Sequence, residues 1–327
     1  MYRCALILLA LVPLTVLAGQ GYRPIADPSA DDVFVFGSEL VRLSRERAAI
    51  VWRSLPDVQT FEPAISNDLV LAGSSRGLYA LDRASGAVRW RIKADSILYS
   101  PAVTREHAYV AGQDGSLRAV ALSDGRTRWQ RHFAGWLYPP AVADGLLVTG
   151  GSARTLFGID RGNGKTRWTI DLGNEPVYRS VAVDQGRVVV TVFDGSVLML
   201  DAQTGDTLWR VEDQAASRLP GVAAGRLYFA GLDGVLRVRT AATGKLIWSR
   251  RLQSPLLEPI ISGGVVVVTA ADRIIALHAL YGGVLWERSA PFILAGRPRI
   301  SGDKLILVSR DYRLAAWSLH GIPNLSH

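Results

Sequence analysis

Seven tryptophans set the frame for anything this chain can fold into. They stand at Trp52, Trp90, Trp129, Trp168, Trp209, Trp248 and Trp286, with spacings of 38, 39, 39, 41, 39 and 38 residues. Six of them carry a glycine four residues earlier (Gly86, Gly125, Gly164, Gly205, Gly244 and Gly282), and the first copy has Ala48 there. Eleven or twelve residues after each Trp comes Pro or Ser: Pro63, Pro101, Pro140, Ser180, Pro220, Pro259 and Pro298. A fixed period of about 40 residues is the mark of stacked supersecondary units, none of which can bury its apolar face alone.

Within one period every local signal is β. From Tyr99 to Trp129 the short runs Tyr99–Val103, Ala108–Gly112, Ser116–Val120 and Thr127–Trp129 are rich in β-branched and aromatic residues. Polar turns separate them, and the Asp-Gly pairs at 114–115, 194–195 and 233–234 match what a type I′ hairpin demands. Four short antiparallel strands per repeat, repeated radially, predict an all-β chain folded as a β-propeller of four-stranded blades. The second and third strand types occur eight times, from Val33–Phe36 and Leu40–Leu43 to Leu305–Val308 and Leu314–Trp317, but the Trp-bearing fourth strand only seven times. Eight blades therefore require the stretch near Tyr22–Ile25 to complete the last one. The alternative is seven blades with residues 22–47 as an N-terminal appendage.

The repeat resembles a known family. Ala80–Trp90 and Asp201–Trp209 are similar to the A-x-D-x-x-T-G-x-x-x-W tryptophan-docking motif of quinoprotein-type (PQQ-like) propellers, with looser copies at 160–168, 242–248 and 277–286. The resemblance covers nearly all of residues 33–318. It implies that glycine takes the positive φ of a turn, and that the seven indoles pack between blades as structural docking groups rather than ligand contacts.

Ahead of the repeats lies a targeting pattern. Arg3 precedes the apolar run Ala5–Ala18, and Val16-Leu17-Ala18 supplies small residues before a cut at Gly19. Fourteen residues interrupted by Pro13 are fewer than the ~20 that a spanning helix needs. The reading is a cleaved secretory signal at 1–18 and a single propeller domain at 19–327, with an uncleaved anchor as the alternative. The one cysteine, Cys4, precedes the apolar run, so no lipid-attachment motif is present, and a disulfide framework or cysteine-rich zinc site is excluded.

Reagents of catalysis are missing from the pattern. Gly162-Asn-Gly-Lys-Thr166 resembles the end of a phosphate loop, but Ile159 stands where its first glycine belongs, and the segment reads as a hairpin turn. The five histidines, His107, His132, His278, His320 and His327, show no metal-ligand spacing. His278 takes the turn position that holds Asp82, Asp160 and Asp201 elsewhere. Quinoprotein dehydrogenases, which the repeat also resembles, carry adjacent cysteines and a calcium site of Glu, Asn and Asp, and neither is found here. The expectation is thus a protein that is no enzyme and uses no cofactor or metal; a quinone-binding or dehydrogenase-like protein is the alternative.

A secreted propeller of this size resembles the propeller subunit of the bacterial outer-membrane β-barrel assembly machinery. That resemblance implies a periplasmic, monomeric scaffold for protein–protein interaction, held near the outer membrane through a partner from that machinery. Lys+Arg total 37 against 29 Asp+Glu, a net charge of +8, and only Lys93, Lys165, Lys245 and Lys304 are lysines. An Arg-dominated excess suits acidic protein loops or an anionic membrane surface, with nucleic acid not expected in a secreted protein. One position offers itself for such a partner. Two residues before each Pro/Ser marker, where the first strand enters the ring, stand Phe61, Tyr99, Tyr138 and Tyr178, then Arg218, Leu257 and Gly296, with Arg179 and Arg297 adjacent. Four aromatics flanked by Arg have the composition of interface hot spots.

Overall fold

The computed structural model describes residues 23–26, 32–44, 49–173, 177–192, 194–212, 220–252, 255–270, 272–292, 294, 298–301, 304–308 and 313–319; at 23–26, 32, 177–180, 184, 301 and 314 it describes the backbone alone. The targeting segment 1–18 and Tyr22 lie outside these residues, as do Arg218, Gly296, Arg297, His320 and His327.

Eight antiparallel sheets follow one another along the chain, each a meander in which consecutive strands pair. Seven have four strands, and the eighth, at 299–318, has three among the described residues. The first strands are neighbours around a ring: Ala64–Ser66 lies beside Ala102–Val103, that beside Ala141–Ala143, and at the seam Arg299–Ser301 lies beside Arg23–Ala26. The molecule is an eight-bladed β-propeller.

Its core is the set of contacts between blades. Side chains alternate across a strand, and each blade is covered on both faces, so one strand serves two neighbours. In blade 1, Val33 and Val35 pack with Ile306 and Val308 of blade 8, whereas Phe34 and Phe36 pack with Val70, Ala72 and Leu81 of blade 2. Strands buried on both sides read as unbroken apolar runs, as Leu69–Ser74 and Val265–Ala270 do, with every residue buried. The blade 8 to blade 1 contact decides for eight blades over seven.

Closure, however, differs from the expectation. Arg23–Ala26 does not complete the last blade; it pairs antiparallel with Asp32–Phe36, from Arg23↔Phe36 to Ala26↔Val33, as the first strand of blade 1. A short connection favours pairing with the next strand in sequence, and reaching the outer edge of blade 8 would carry the chain across a whole blade.

The hairpins differ too. At Asp114-Gly115 only the glycine has positive φ, +76°, and Gly112 N–H donates to Ser116 O at 2.8 Å, closing a three-residue loop instead of a type I′ turn. Positive φ at both turn residues occurs instead between first and second strands: Asp144-Gly145 (32°, 85°), Gln185-Gly186 (48°, 73°), Ala224-Gly225 (47°, 69°) and Gly263-Gly264 (55°, 78°).

Blades 1 to 7 share one device on their outer strands. The pairing skips the residue just before Trp, namely Val51, Arg89, Arg128, Arg167, Leu208, Ile247 or Leu285. Such a bulge bends the strand and re-aims the following side chain. The indole then reaches the next blade: Trp168 Nε1–H donates to Ala202 O at 3.0 Å. All seven indoles make the equivalent bond, at 2.9 to 3.2 Å.

Candidate functional site

The meander fixes two faces. Turns between the first and second and between the third and fourth strands lie on one face, here the lower. Turns between the second and third strands, and the links between blades, lie on the upper face. The first strand therefore starts at the upper mouth of the channel.

Three aromatics meet there. Phe61, Tyr99 and Tyr138 occupy the same place in blades 2, 3 and 4, each N–H donating at 2.9 Å to the neighbouring strand, at Gly73 O, Ala111 O and Gly150 O. Pro63, Pro101 and Pro140 then begin the innermost strand, whose open edge needs no further N–H. Phe61 and Tyr99 sit edge to face with centroids 5.3 Å apart, and Tyr99 and Tyr138 are tilted at 6.5 Å. All three rings are half-buried. Burial, with the Tyr138 phenol adding, pushes the Tyr99 hydroxyl up to about 12, so it stays a neutral donor. Trp136, two residues before Tyr138, is exposed on the same face.

The fourth aromatic, Tyr178, lies with Arg179 in the strand Val177–Asp184 of blade 5, where the pairing shifts register between Val177 and Val181. Leu257 takes the equivalent place in blade 7, its N–H donating to Thr269 O at 3.1 Å. A feature the sequence did not signal crosses the mouth: Arg299 of blade 8 reaches Glu62 of blade 2 at 2.7 Å, spanning blade 1. No local pattern links residues so far apart in the chain.

Other polar groups serve the turns. Asp160 accepts the N–H groups of Gly162 and Asn163 at 3.0 and 3.1 Å, which places the phosphate-loop look-alike in a hairpin turn. The Arg167 guanidinium, 2.5 Å away, holds the Asp160 carboxyl below the usual carboxylate range, and Arg89 does the same for Asp82. His278 Nδ1 accepts Leu280 N–H at 3.2 Å, replacing the carboxylate. Among the described residues no three His, Cys, Asp or Glu side chains lie together as metal ligands.

The fold and this mouth define a class: a repeat β-propeller whose inter-blade indoles clasp the ring and whose upper rim presents aromatic side chains. The particular family follows from comparison. The family model described as outer membrane protein assembly factor BamB matches residues 37–135, 131–220 and 194–321, and the chain belongs to that family. The crystal structure of BamB from Moraxella catarrhalis superposes with a TM-score of 0.77 at 18% identity, covering 94% of this chain and 96% of that one. The computationally designed Ika8 protein superposes with a TM-score of 0.80 at 15% identity, covering 91% and 96%. At such identities the likeness is one of fold. No curated protein sequence matches this chain.

Proposed function

We propose that this protein is a non-enzymatic periplasmic scaffold in outer-membrane protein assembly, holding an extended or loop-like peptide of a partner on its upper mouth. The carrying observation is the aromatic arc, in which Phe61, Tyr99 and Tyr138 touch in series on three successive blades. Rigid half-buried rings offer large contact area at small entropic cost, and Tyr adds a hydrogen bond at its tip. An extended peptide presents side chains on alternate sides, which suits a row of rings repeated at blade spacing. Tyr178 continues the series on blade 5 in sequence, and Arg179, Arg218 and Arg297 would favour acidic flanks on the peptide. Membership of the BamB family supports the assembly role, and the apolar run at 5–18 supports export.

The test is photo-crosslinking in cells from a probe at Ser100, between Tyr99 and Pro101, read by mass spectrometry. The expected adduct is a component of the barrel assembly machinery. The triple variant Phe61→Ala, Tyr99→Ala, Tyr138→Ala should melt as a folded propeller and lose that adduct. Undiminished capture by the folded triple variant rejects the site. Co-purification of a quinone chromophore favours cofactor binding instead.

A further inference from the structure

The lower ends of blades 6 and 7 differ from those of blades 2 to 5. In blades 2 to 5 the turns of this face carry acids, among them Asp82, Asp124, Asp160 and Asp201. In blades 6 and 7 the equivalent segments, 223–226, 239–246, 262–265 and 277–285, contain no Asp or Glu but do contain Arg226, Arg239 and Lys245. Blade 7 also changes its turn. Where other blades have Ala84-Ser85, Gly162-Asn163 or Gln203-Thr204, it has Leu280-Tyr281.

Tyr281 is 77% exposed, its ring stacked on His278 at 4.8 Å while His278 accepts Leu280 N–H. Val284 and Leu285 stand exposed beside it on the outer wall. Across the blade boundary lie exposed Leu246 and Ile247. The two sets are adjoining, because Trp248 Nε1–H donates to Ala279 O at 3.2 Å and its indole rests on Gly282. The bulge position marks the same change around the wall: Arg89, Arg128 and Arg167 in blades 2 to 4 give way to Leu208, Ile247 and Leu285 in blades 5 to 7.

We infer that this sector rests on an anionic bilayer surface, with Leu280 and Tyr281 entering the boundary between headgroups and acyl chains. Contiguous exposed apolar side chains mark a contact surface. These protrude from a convex edge rather than lining a groove, so they suit a deformable planar phase better than a peptide. Aliphatic side chains with a Tyr among them, flanked on the blade 6 side by cations and with no acid in these turns, are what an anionic membrane interface accepts. The sector lies on the face opposite the aromatic mouth, which it would leave open to a polypeptide.

Sedimentation of the full chain with vesicles tests this. Wild type should pellet with phosphatidylethanolamine–phosphatidylglycerol vesicles and much less with phosphatidylcholine vesicles. Tyr281→Asp combined with Leu285→Asp should lower the anionic partition about tenfold or more, and Lys245→Glu about fivefold. The apolar run at 5–18 is common to all variants, so the differences report on the wall. Should the double variant melt early, Tyr281→Ser, at a side chain outside the core, takes its place. Equal partition of wild type and variants, or no preference for anionic vesicles, overturns the inference. A wild type that ignores vesicles while position 281 crosslinks to a protein overturns it as well, and makes the wall a protein contact.

Discussion

Gly205 answers to two constraints at once. Its φ is +79°, and a Cβ there would fall 2.8 Å from Cδ2 of Trp168 in the preceding blade. Gly225, in a type I′ turn, has φ +69° with nothing within 4 Å of the Cβ position. The pair separates backbone strain from contact. Gly225→Ala should cost about 1–2 kcal/mol, the left-handed penalty alone. Gly205→Ala should cost clearly more, about 3 kcal/mol or above, because the indole cannot withdraw without losing its hydrogen bond and packing. Denaturant midpoints at constant slope give the two values; equal losses would show that the indole yields freely. The glycine was legible in the sequence as a turn residue. Its partner was not, because each glycine stands four residues before the Trp of its own blade but touches the Trp of the blade before.

At the scale of the strand, the bulge and the tryptophan act as one device. Trp168 lies between Gly158 of its own blade and Gly205 of the next, and donates to Ala202 O. Trp168→Ala should destabilise the whole ring by about 3–5 kcal/mol, since repeat arrays depend on the interfaces between neighbours. Trp168→Phe keeps most of the packing and loses one hydrogen bond, about 1 kcal/mol. Thermal melting of both variants, with partner capture as the second readout, checks this. A Trp168→Ala protein that melts like wild type yet fails to bind would make the indole a contact residue. Strand number and period were readable because Trp, Gly and Pro recur at fixed intervals. The bulges were hidden, because the skipped residue is Val, Arg, Leu or Ile in turn and has no composition of its own. The I′ turns were misplaced for a related reason: Ala224-Gly225 and Gln185-Gly186 lack the Asn or Asp that announces such a turn, while Asp114-Gly115 has it and closes a longer loop.

Ring closure belongs to the whole molecule, and there the sequence was least informative. Val33-Phe34-Val35-Phe36 is apolar at every position, so alternation could not show that its two faces serve blades 8 and 2. The aromatic arc was found because it repeats at one place per blade, whereas Glu62–Arg299 joins unlike places 237 residues apart. That ion pair offers the closing prediction. It spans blade 1 at 2.7 Å, with side chains 18% exposed at Arg299 and 41% at Glu62, so it forms only if blades 8, 1 and 2 are held in a closed ring. Partly exposed pairs are worth about 1 kcal/mol or less, too little for a single substitution to be diagnostic. A double-mutant cycle of Glu62→Gln and Arg299→Gln isolates the pair from whatever else each change does. A coupling of about 0.5–1 kcal/mol, weakening with added salt, is expected. Zero coupling in folded variants would mean that solvent screening cancels the pair, and that the seam is held by the packing of Val33 and Val35 on Ile306 and Val308 alone.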